Sequence, residues 1–64
     1  MVQADQQAVN ARRNGDVMLV RDVPPGQDVA TVQAAVEAAG WVLASTKQRG
    51  VFKKTTVLYF AAVE

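Results

Sequence analysis

The chain has 64 residues and contains neither cysteine nor histidine. Without cysteine there can be no disulfide and no thiolate metal site. Without histidine the commonest transition-metal ligand and the commonest general base are missing. No apolar run approaches the ~20 residues of a membrane span, and Met1–Gly15 holds no apolar stretch suited to a signal peptide. The default location is therefore cytoplasmic, with no membrane partner. Charge of one sign is lacking too. Net charge is +1 and the pI is about 8.2, a balance that does not by itself imply nucleic acid or an acidic membrane.

What remains is an apolar fraction of 50%, typical of a globular domain and too high for a disordered chain. Much of it is alanine and valine, so the core is built from small side chains. At 6.9 kDa a folded monomer exposes roughly 4,000 Å² against about 10,000 Å² when extended, and its core is marginal. Small domains add disulfides, a metal or a partner subunit. With the first two disfavoured, association is the physical expectation.

Along the chain, residues 1–15 are polar with scattered Ala and Val, and form either a tail or a short helix stopped at Asn14-Gly15. Residues 16–64 read as a single domain. Asp16–Val23 is a first strand, with Val17, Leu19, Arg21 and Val23 on one side and Met18, Val20 and Asp22 on the other. Its continuous apolar run, Val17–Val20, suggests that both faces are covered. Pro24-Pro25-Gly26-Gln27 breaks the strand. Asp28 is a good N-cap for a helix whose stripe is Val29, Val32, Val36 and Ala39, and Gly40 can end it in the left-handed conformation. Trp41 then packs back on Val36.

Trp41–Lys47 and Thr55–Val63 are two more strands. A turn centred on Arg49-Gly50 pairs Trp41 with Leu58, Val42 with Val57 and Leu43 with Thr56. Trp41, Leu43 and Ser45 share one face of the second strand; Val42, Ala44 and Thr46 share the other. The order is βαββ, an α+β class. The second strand runs parallel to the first, the last two form an antiparallel hairpin, and one main helix covers one face. Ala38-Ala39-Gly40-Trp41-Val42-Leu43, following a strand and an amphipathic helix, resembles the helix ending of small bacterial βαββ domains of unknown function. Those often have Glu-Gly-Trp before aliphatic residues, and here Ala39 stands where glutamate is usual. The resemblance implies a fold and brings no catalytic residue with it.

Two surfaces are left over. If Trp41, Leu43, Leu58 and Phe60 face the helix, then Val42, Ala44, Val57, Tyr59 and Ala61 face away, an apolar patch large for a monomer. The N-terminal segment, a second copy or another protein can cover it, and a symmetric dimer is the commonest solution. The second surface is the basic hairpin of Lys47, Arg49, Lys53 and Lys54, with Phe52 interleaved. Cations on a β-ribbon can contact phosphates, Phe52 can stack on a base, and Arg12 and Arg13 can add a basic arm. Equally, such lysines protect a sheet edge and Phe52 packs across the hairpin.

Catalysis is not expected. Asp28 caps, Glu37 lies on an exposed helix face, and Asp5 and Glu64 are terminal. Asp16 and Asp22 lie about 20 Å apart along one strand. Ser45 has no histidine to activate it, and PPGQD is not a phosphate loop. No catalytic, metal or cofactor residue is nominated. The expected function is a homodimeric, non-catalytic binding module. A nucleic-acid-binding accessory protein using residues 47–54 is the alternative, and a small-molecule carrier with a cavity between two sheets the third.

Overall fold

The computed structural model describes residues 3–63. The elements are α1 (Gln6–Arg13), β1 (Met18–Val23), α2 (Val29–Glu37), β2 (Trp41–Arg49) and β3 (Thr55–Ala62). The three strands form one sheet in the order β1-β3-β2, with β3 antiparallel to both neighbours. β1 and β2 thus run in the same direction, as the crossover through α2 requires, with β3 inserted between them.

Each helix starts on an aspartate. Asp28 Oδ1 accepts the Ala30 N–H at 3.1 Å and its Oδ2 accepts the Thr31 hydroxyl at 2.9 Å, satisfying donors that a first turn leaves open. α2 then tightens at its end, with the Gly40 N–H donating to Glu37 O at 3.0 Å. Gly40 takes φ +97°, a conformation an L side chain resists, and the chain turns directly into β2.

The buried cluster lies between the sheet and both helices: Ala8 and Ala11 from α1, Val36 from α2, and Val23, Trp41, Leu58 and Phe60 from the sheet. Val29, Val32, Ala39, Leu19, Leu43 and Ala62 pack around it, so the stripe expected for α2 is the one used. Phe60 sits at its centre with Leu19 on one side and Leu43 on the other. Trp41 joins Val36 in this cluster, and its Nε1–H donates to Ala8 O at 3.0 Å.

The hairpin register differs from the sequence-based expectation. Trp41 pairs with Ala62, Val42 with Ala61 and Leu43 with Phe60. A two-residue turn at Arg49-Gly50 would force Arg49 to positive φ. Instead β2 runs on to Arg49, which pairs with Thr55, and Gly50–Lys54 forms a longer loop. The register sets the large Trp41 ring opposite small Ala62 rather than opposite Leu58. A β-bulge between Leu43 and Ser45 then shifts the phase of β2. Ser45 pairs with Tyr59 and Thr46 with Leu58, so Ser45 lies on the outer face and Thr46 on the helix face, the reverse of simple alternation.

Candidate functional site: the open sheet face and the hairpin tip

α1 decides which face of the sheet stays open. Asp5 caps it, with Oδ1 accepting the Ala8 N–H at 3.1 Å. Asp5 Oδ2 also meets Arg21 Nη2 at 2.8 Å, and the Asp5 N–H donates to Ala35 O of α2 at 3.0 Å. Arg21 donates to Gln7 as well. At the other end of α1, Arg12 Nη2 donates to Val63 O at 2.8 Å and its guanidinium lies 5.8 Å from the Trp41 ring centroid. Arg21 points to the same side of β1 as Leu19 and Val23, so every one of these contacts holds α1 beside α2 on the inner face.

The outer face receives no helix. Register places Met18, Val20 and Asp22 of β1, Thr55, Val57, Tyr59 and Ala61 of β3, and Val42, Ser45, Lys47 and Arg49 of β2 on this side. The expectation that β1 is covered on both faces is corrected here: Met18 is 60% exposed and Val20 52%. Val42 is 49% exposed and Ala44, at the bulge, is also exposed. Tyr59 and Ala61 are half-buried. Val57 is different, only 3% exposed. Its cross-strand neighbours are Asp22 and Lys47; Lys47 Nζ lies 5.9 Å from the Tyr59 ring centroid, and Arg49 Nη2 reaches Asp22 Oδ2 at 3.8 Å. Charged side chains with long apolar stems thus roof Val57 at the hairpin end, and it has little surface left to offer.

The open apolar patch is therefore Met18, Val20, Val42, Ala44, Tyr59 and Ala61, at the end of the sheet away from the hairpin. Met18 and Val20 were absent from the set nominated from the hairpin strands. The alternation of β1, which set them opposite Leu19, was the signal that could have named them.

At the hairpin end, Lys47, Arg49, Lys53 and Lys54 are all exposed. Phe52 does not pack across the hairpin: it is 97% exposed, beside Val51 at 85%. The tip is Val51–Lys53 rather than Gly50, which opens the loop with φ +103°. A Cβ on Gly50 would stand 2.6 Å from Lys53 O, so the loop closes tightly only over glycine. Arg12 does not extend this basic surface. Its bond to Val63 O and its place beside Trp41 fix it at the opposite end of the sheet, and Arg13 follows it in the same turn.

Among the described residues there is no cavity and no group of three or more carboxylates, and no helix is long and apolar enough to cross a membrane. Space for a carried small molecule would have to lie between two copies. No protein-family model matches the chain, and neither does any curated protein or solved structure.

Proposed function

We propose that this chain is a small non-catalytic interaction module that works as a homodimer, joined through the open faces of two sheets. The observation that carries this reading is that both helices pack on one side of the sheet, so Met18, Val20, Val42, Ala44, Tyr59 and Ala61 are left without a cover. That set leaves roughly 400 Å² open, the size of the largest and often functional patch on a monomer. Two copies stacked face to face would bury roughly 800 Å² from this set alone, and the flanking outer-face side chains bring the total toward the range where specific interfaces begin.

Charge favours a second copy in one orientation. Lys47 lies toward the hairpin end of this face, where Asp22 already has Arg49 for a partner, and Asp16 precedes β1 at the other end. A two-fold axis perpendicular to the strands sets each copy's Lys47 toward the other's Asp16, whereas parallel stacking sets like charges together.

Size-exclusion chromatography with light scattering at micromolar concentration tests the proposal. The expected species has about twice the 6.9 kDa chain mass. Val20→Glu, at a half-exposed outer-face position, should return it to monomer with little change in circular dichroism. A wild-type chain that elutes at its own mass across that range ends the proposal.

A further inference from the structure

We propose that the β2–β3 hairpin tip binds single-stranded nucleic acid, with Phe52 stacking on an unpaired base and Arg49, Lys53 and Lys54 holding the phosphates. This site stands apart from the homodimer and does not rest on it.

The charge of the ribbon is of one sign. Between Glu37 and Glu64 the chain has no acid, so every charge on β2, β3 and their loop is positive. The nearest carboxylate is Asp22, and its pairing with Arg49 at 3.8 Å joins two side chains that are 71% and 58% exposed. Such a pair is weak and yields readily to a phosphate. Lys53 and Lys54 make no ion pair among the described residues, and both follow Phe52 directly.

Solubility explains the lysines and not the aromatic ring. A surface designed only to stay in solution keeps phenylalanine off its loop tips. Here Phe52 is almost entirely in water, with Val51 beside it, on a turn that Gly50 closes against Lys53 O. An open ring followed in the chain by two exposed lysines suits a flat π-surface attached to phosphates. A base stacked on an aromatic side chain gains roughly ten- to a hundredfold in affinity. Bases inside a duplex already have both faces occupied, and opening a step costs as much as one stack returns. A lone ring therefore selects strands whose bases are free. An anionic bilayer is the poorer fit, because two apolar side chains on one turn fall short of the two signals that stable membrane binding needs.

Fluorescence anisotropy with a labelled oligothymidine at low ionic strength tests the site, with duplex DNA of the same length and phosphatidylserine vesicles as the other two probes. We expect saturable binding to the single strand. Log affinity should fall against log salt with a slope of roughly −2, from three phosphate contacts. Phe52→Ala should weaken binding about tenfold or more, and Phe52→Trp should keep it and show quenching of the new indole on addition of the oligonucleotide. Replacing Lys53 and Lys54 with glutamine should reduce the slope by roughly 1.4. The position is exposed, so these variants should fold as the parent does. The proposal is overturned by no detectable single-strand binding at low salt, by binding indifferent to Phe52→Ala, by equal affinity for duplex, or by binding to the vesicles alone. The Val20→Glu variant separates the two proposals, since a monomer that still binds the oligonucleotide leaves the tip intact.

Discussion

Asp5 makes three separate connections for one side chain and its amide: it caps α1, pairs with Arg21 and ties the start of α1 to Ala35. The Arg21 and Asp5 side chains are only 26% and 15% exposed, so this pair is shielded more than an ordinary surface one. Removing the cap costs about 1 kcal/mol, and leaving Arg21 without its carboxylate adds about another. Asp5→Ala should therefore lower unfolding stability by about 2 kcal/mol, and Asp5→Asn, which keeps the cap, by about half of that. Urea titration followed by Trp41 fluorescence measures both, since Trp41 is the single tryptophan and is buried. The contrast with Asp28 shows what the sequence reveals. Asp28 caps a helix whose apolar stripe is visible beside it, so its role is legible locally. Asp5 reads in the sequence as no more than a terminal acid, because its partner Arg21 lies on another element and only folding brings the two together.

At the level of the elements, β1, α2, β2 and β3 are legible because each carries its own period and stop signals. The placement of α1 is not, because its buried residues are alanines. Ala8 and Ala11 give little apolar signal in sequence, yet their small size is what allows α1 to lie close against Trp41. Ala8→Leu should lift α1 from the sheet and cost about 1–3 kcal/mol by overpacking. The sensitive readout is the Trp41 indole N–H. Its hydrogen exchange should accelerate when its bond to Ala8 O is lost, ahead of any global unfolding. The bulge beside Ala44 was equally silent in the sequence: nothing in Leu43-Ala44-Ser45 marks an extra residue, and without it alternation assigns Ser45 and Thr46 to the wrong faces. The facing of Trp41, Leu43, Leu58 and Phe60 is still legible by alternation, because Trp41 and Leu43 precede the bulge and Leu58 and Phe60 lie on β3, which carries none.

As a whole the molecule is a slab of 36 × 25 × 15 Å, one sheet and one layer of helices thick. Its surface of 4536 Å² exceeds the roughly 4,000 Å² expected for its mass. Its radius of gyration, 11.7 Å, likewise exceeds the roughly 10.7 Å expected for its length. The uncovered outer face and the exposed ribbon of residues 44–54 both add to these values. If association covers that face, stability depends on concentration by mass action. A tenfold dilution should lower the melting temperature by about 5 °C for a dimer of this size, seen by calorimetry at two concentrations. An unchanged melting temperature would mean that the chain stands alone.

A slab this thin has room for a single stratum of side chains that never meet water: Val23, Val36, Trp41, Leu58 and Phe60 are its large members. Beyond it, steric resistance is confined to the close-packed Ala8 and Ala11, the shielded Val57 and the tight turn at Gly50. Over long descent, kindred chains should drift apart at most other positions and keep this sparse set, together with the glycine before the tryptophan, as their common inheritance.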